Sequence, residues 1–204
     1  VSTTRMMILG VVRMAQPVHG YDVRRELLSW HADKWANVQP GSVYHALKKL
    51  AEEGALREVG SEQVGGRPAR TRYEMTAKGD EQFRDLLSAA LWEQREVEDP
   101  FLAGFSLMTE LPREEVAAAL RHRARQLRAD NEGAAAAIAS GWAVPENKPT
   151  HVRWMLELGV ARNEGEIAWC ERVAERIEAG EPYLSAELQE RWKRGFGHAE
   201  HATD

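Results

Sequence analysis

The most constraining stretch of this chain is Gln39-Pro40-Gly41-Ser42-Val43-Tyr44-His45-Ala46-Leu47-Lys48-Lys49-Leu50-Ala51-Glu52-Glu53-Gly54, which predicts a helix with both ends marked. Proline lacks the N–H that a first helical turn cannot use, and Gly54 offers the left-handed closing position. At about 100° per residue, Val43, Leu47, Leu50 and, at the edge, Ala51 gather on one apolar face. The other face holds Gly41, Ser42, His45, Lys48, Lys49 and Glu52, with Tyr44 on its flank. Hydroxyls, an imidazole and two lysines suit a helix laid against DNA, where base edges and phosphates are the partners. A merely solvated face would fit the same pattern, so the neighbouring segments decide.

Residues 4–16 place Met7, Ile8, Val11, Val12 and Ala15 at helical spacing, behind Ser2-Thr3-Thr4 and before Pro17, which predicts a core helix. From Val18 a second stripe, Val23, Leu27, Leu28 and Trp30, runs to about His31. His19 and Asp22 have no nucleophile or phosphate loop beside them, and read as turn and cap residues rather than as an acid–base pair. Residues 32–39 read as a loop. Past Gly54 the period changes: 55–59 and 71–75 alternate as strands do, and the glycine-rich stretch between them carries Arg67 and Arg70, with Arg72 following. Three helices and a two-stranded ribbon with a basic tip form the layout of a winged helix-turn-helix. Charge agrees by region: residues 1–75 hold 11 Lys/Arg against 8 Asp/Glu, net +3, and 76–204 hold 16 against 24, net −8.

His19-Gly20-Tyr21-Asp22, then Gly41-Ser42-Val43-Tyr44 with Leu47, Leu50 and Gly54, then Gly66-Arg67-Pro68 to Tyr73-x-Met75-Thr76-x-x-Gly79, resemble the PadR-type family of bacterial transcriptional regulators over roughly residues 6–79. The resemblance implies a homodimeric winged-helix DNA binder, most often a repressor, some members being released by small aromatic or drug-like molecules. The family commonly has proline after the tyrosine, where this chain has His45. The residues expected to meet double-stranded DNA, as an inverted-repeat operator, are Tyr21, Gln39, Ser42, Tyr44, His45, Lys48, Lys49, Arg67, Arg70 and Arg72.

Beyond the wing the pattern is helical. Thr76 opens a helix whose stripe, Phe83, Leu87, Ala90, Leu91 and Val97, leads to Pro100, and 100–108 is a short apolar piece suited to burial. Pro112, with Glu114 and Glu115, opens a long helix striped by Val116, Leu120, Ala124, Leu127, Ala134 and Ile138. After Pro145 and Pro149 a second carries Val152, Met155, Leu156, Gly159, Ile167, Cys170, Val173 and Ile177. Each is on the order of 40 Å long, and two such helices joined by a short turn predict an antiparallel pair that associates with a second subunit. This resembles the long C-terminal domain of one PadR branch. The expected fold class is mainly α with a small β-ribbon: a winged helix-turn-helix domain over 1–79, a connecting helix and apolar segment over 80–110, dimerising helices over 111–184, and a last helix and tail over 185–204.

The longest apolar runs are too short and interrupted to span a bilayer and no signal-type segment opens the chain, so a cytoplasmic location is expected. The lone Cys170 excludes an intramolecular disulfide and reads as a small buried apolar residue. No cofactor and no metal are expected; His198-x-x-His201 lacks further ligands. Core packing is the expectation for Trp154 and Trp169, whereas Trp92 matches a place where some short PadR-type proteins stack a planar drug, which makes Trp92, Phe101 and Phe105 the candidate site for a small aromatic effector. No catalytic constellation is present. The competing reading is a winged-helix module for protein–protein association with no specific operator.

Overall fold

The structure, a computed structural model, describes residues 3–62, 70–94 and 98–196. It divides into two compact units, Val1–Val97 and Glu98–Asp204, so the expected connecting segment 80–110 is shared between them. No helix among the described residues is long and apolar enough to cross a membrane.

In the first unit, helix α1 (Thr3–Ala15) buries Ile8, Leu9, Val11 and Val12, and α2 (Gly20–Ser29) buries Val23 and Leu27. His19 occupies the N-cap position of α2 but makes no capping bond through its side chain, and Asp22 pairs instead with Arg25 at 2.7 Å. The loop expected at 32–39 contains a one-turn helix, α3 (Ala32–Trp35), entered through His31 at φ 53°. It is fastened by buried Ala32 and Val38, whose N–H donates to the Ala32 carbonyl at 3.1 Å. Four residues are fewer than one apolar repeat, which is why periodicity passes over them.

Helix α4 (Ser42–Glu52) follows, with Pro40 just ahead of it rather than in its first turn. It ends at Gly54, at φ 76°. Strands β2 (Leu56–Glu62) and β3 (Arg70–Met75) form the expected antiparallel ribbon, and a two-residue strand, β1 (Val18–His19), pairs with the outer side of β3 to give the order β1-β3-β2. Two residues show no alternation, so β1 left no trace in the pattern. A bulge between Glu58 and Ser61 contains Gly60 at φ 69°.

Helix α5 (Ala77–Trp92) is capped by Thr76, whose hydroxyl oxygen accepts from the Gly79 N–H at 3.1 Å. It lies on α1, with the Phe83 ring in the space that Gly10 leaves open and Arg13 paired to Asp80 at 2.8 Å. Phe83 and Leu86 join the core. Of the expected stripe only Phe83 packs on the core: Leu87, Ala90 and Leu91 are exposed, as is Trp92, and Val97 lies outside the described residues.

The second unit contains α6 (Pro100–Ser106), a 3-10 turn at Met108–Glu110, α7 (Arg113–Ala139), α8 (Thr150–Glu178) and α9 (Ala186–Phe196). Arg121 with Glu178, Arg128 with Glu171, and Asn131 with Asn163 pair α7 and α8 in descending order, which makes the hairpin antiparallel. Its core joins Val116, Ala117, Leu120 and Ala124 to Ile167, Cys170, Ala174 and Ile177. That core occupies one end of the hairpin: from 125 to 166 only Ala143, in the turn, is buried. The apolar piece at 100–108 is covered in part, through Phe101, Phe105 and Met108, while Leu102 and Leu107 face solvent. Cys170 is fully buried, as expected.

Candidate nucleic-acid interface

Helix α4 separates its two faces sharply. Val43, Leu47 and Leu50 are at most 1% exposed, and Ser42, Tyr44, His45, Lys48, Lys49 and Glu52 are all exposed. The burial of three large side chains fixes the rotation of the helix, so the opposite groups are presented without choice. Lys48 reaches toward Glu52 at 3.8 Å, but both ends are largely solvated, a pairing too weak to keep the ammonium from a phosphate.

The start of the helix is tied into the turn that precedes it. The Gln39 carbonyl accepts from the Ser42 N–H at 3.0 Å and from the Ser42 hydroxyl at 2.8 Å. The end is tied to α5: the Thr76 hydroxyl donates to the carbonyl of Gly54 at 2.7 Å, and Lys78 Nζ donates to that of Glu53 at 2.7 Å.

Tyr44 reaches the start of α2 at Gly20, next in sequence to Tyr21. Gly20 is buried there, and a Cβ on it would lie 3.2 Å from Leu47 Cδ1 and 3.3 Å from Tyr44 Cε1, so the Tyr44 ring rests on backbone left bare by glycine. Tyr21 is 56% exposed, with the Arg25 guanidinium 5.5 Å from its ring centre.

On the ribbon, Arg57 pairs with Glu74 at 2.6 Å. Arg72 is half-buried and turned onto the bulge, where its Nη2 lies 3.1 Å from where a Gly60 Cβ would stand. Arg70 stands in β3 opposite Glu62, and Arg67 lies outside the described residues.

A residue missed by sequence reasoning is Asn37. It adopts φ 52°, and its side-chain oxygen accepts from Gln39 Nε2 at 3.0 Å. Its legible signal was the tolerance of asparagine for left-handed backbone just ahead of a helix.

Of the effector candidates, Phe101 and Phe105 lie 5.8 Å apart and both meet Trp169 edge-on, at 5.9 and 5.0 Å. Arg123 covers Phe101 at 4.0 Å. Trp92 belongs to the other unit, at the end of α5, and is 86% exposed. Trp169 packs as expected, but Trp154 does not: it is 62% exposed. His198 and His201 lie outside the described residues, among which no group of three potential metal ligands occurs.

Residues 8–85 match the transcriptional regulator PadR-like family. No curated protein matches the chain. Bacillus subtilis PadR in complex with operator DNA is similar in structure at a TM-score of 0.65 and 20% identity, over 85% of this chain and 98% of that one. The same protein in complex with p-coumaric acid gives 0.66 and 19%, over 86% and 96%. The Vibrio cholerae virulence activator AphA gives 0.65 and 19%, over 86% and 98%. The chain therefore carries, over residues 8–85, a domain of the transcriptional regulator PadR-like family, and its fold is the winged helix with C-terminal helices of PadR-family regulators.

Proposed function

We propose that this protein is a sequence-specific DNA-binding regulator, a homodimeric repressor that works on double-stranded DNA in the cytoplasm. The carrying observation is the exposed face of α4, where Ser42, His45, Lys48 and Lys49 stand opposite a fully buried stripe. In this reading residues 1–79 bind DNA with Tyr21, Gln39, Ser42, Tyr44, His45, Lys48 and Lys49, together with Arg67, Arg70 and Arg72 of the wing; residues 111–184 form the dimer. The operator complex of the similar Bacillus subtilis protein supports it.

Dimerisation is supported by the incomplete hairpin. Trp154, Met155 and Leu158 are 62%, 46% and 52% exposed at i, i+1 and i+4 on α8, beside a stretch of α7 and α8 with no core of its own. A second copy would cover such a face, since so long an amphipathic pair gains most of its stability from packing. Two recognition helices related by a twofold axis read an inverted repeat with half-site centres about 10 or 20 bp apart. For release by a small aromatic molecule, the residues to substitute are Trp92, Phe101 and Phe105, and the p-coumaric acid complex of the Bacillus subtilis protein supports that choice of ligand chemistry.

The test is a mobility-shift and footprinting experiment with the DNA upstream of the protein's own gene. A protected inverted repeat supports the reading. A protected single half-site bound by monomer removes the dimeric operator, and no shift of any duplex at low salt turns the reading toward a protein-interaction module.

A further inference from the structure

The turn before α4 is anchored on one side and presented on the other. Val38, 2% exposed, holds it to the core, while Asn37 and Gln39 on either side face solvent. Gln39 Nε2 donates to Asn37 Oδ1 at 3.0 Å, and the Gln39 carbonyl accepts both the N–H and the hydroxyl of Ser42, so Gln39 and Ser42 stand at one corner of the helix.

These bonds dictate what each side chain has left to offer. A carboxamide has two N–H groups and one carbonyl oxygen. With one N–H given to Asn37, Gln39 retains one donor and one acceptor on the same planar group. In the major groove adenine offers the complement, the N7 acceptor beside the N6 amino donor, whereas guanine offers two acceptors, thymine an acceptor and a methyl, and cytosine a donor alone. Ser42 has committed its proton to the Gln39 carbonyl and keeps only lone pairs, which accept from an exocyclic amino group. Fixing the carboxamide before contact also removes part of the ordering cost of binding.

We infer that Gln39 reads an adenine in each half-site and that Asn37 is a positioning residue that aims it, with Ser42 accepting from a neighbouring base amino group. The inference rests on the regulator reading of α4. Asparagine suits both demands at position 37, because it tolerates φ 52° and supplies the oxygen.

The test selects binders for the full-length protein from a pool of random-sequence duplexes, then compares variants on the enriched sequence. One adenine per half-site should be enriched, and its replacement by another base, or by 7-deazaadenine, which lacks the N7 acceptor, should weaken binding about 5- to 150-fold. Gln39→Ala should abolish that discrimination. Asn37→Gly, which accepts the left-handed backbone but has no oxygen to offer, should lower it about 2- to 12-fold, and Asn37→Asp, which keeps the acceptor, should restore it. Discrimination that survives Gln39→Ala overturns the adenine assignment. Discrimination that survives Asn37→Gly overturns the positioning role. Enrichment of a sequence without that adenine sinks the inference and leaves the regulator reading standing, and a pool from which nothing is enriched sinks both.

Discussion

Alanine at position 79 should unlatch α5 from the end of α4. Gly79 is buried in the first turn of α5, and a Cβ there would lie 2.0 Å from the Ala55 carbonyl oxygen and 2.7 Å from Met75 Sδ. The Met75 side chain can turn away, but the carbonyl cannot move freely. It accepts from the Thr76 N–H at 3.2 Å and lies 3.0 Å from the Thr76 hydroxyl, whose one proton it shares with the closer Gly54 carbonyl, so it is held where the ribbon and α5 meet the end of α4. Losing the N–H bond costs about 1 kcal/mol, overpacking adds about 1–3, and the better helix propensity of alanine returns about 1, which leaves a net loss of about 1–3 kcal/mol. Gly165 in α8 provides the opposite case: nothing lies within 4 Å of its Cβ position, so Gly165→Ala should stabilise by about 0.5–1 kcal/mol. Urea denaturation of both variants reads the two signs directly. A Gly79→Ala protein as stable as its parent would refute the packing of α5 against the end of α4, and destabilisation by Gly165→Ala would show that something covers that face of α8.

Lys48→Ala and Arg67→Ala should each weaken binding to every duplex and make the salt dependence shallower by about 0.9 per lost phosphate contact, whereas His45→Ala should change preference among bases by about 1–3 kcal/mol; a His45→Ala protein that ranks all operator variants as its parent does makes the imidazole a bystander. Hydrogen bonding from Arg13, with Arg84 adding to the pull, holds the Asp80 carboxyl below the usual carboxylate range. A depressed carboxylate stabilises the fold fully above its unfolded value and loses that contribution as pH falls through the folded one, so Asp80→Asn should lower stability in the neutral range and flatten its further loss below about pH 4, where parent and variant converge; an unaltered acid limb counts against the Arg13–Asp80 tie. Burial pushes the Cys170 thiol up, so it should resist alkylation in the native protein and react only as the hairpin opens, and rapid native labelling would contradict its packing.

The sequence by itself determined whatever depends on local, repeated chemistry. The stripe Val43, Leu47 and Leu50 decided which way α4 turns, and Gly54, at φ 76°, decided where it stops, because few other residues take that conformation. Alternation around a glycine-rich tip gave away the ribbon, and the long stripes on α7 and α8 gave away the hairpin. Elements without a period stayed hidden: the two-residue β1, held by its pairing with β3, and the single turn of α3, held by Ala32 and Val38. What only tertiary structure decided was the set of partners across sequence distance. It packed Phe83 on Gly10 while leaving Leu91 bare in the same stripe, turned Arg72 onto Gly60, and left Trp154 in solvent. An apolar or cationic residue announces only that it will find some partner. Which one it finds depends on where the other elements have been placed, and that is a property of the assembled core.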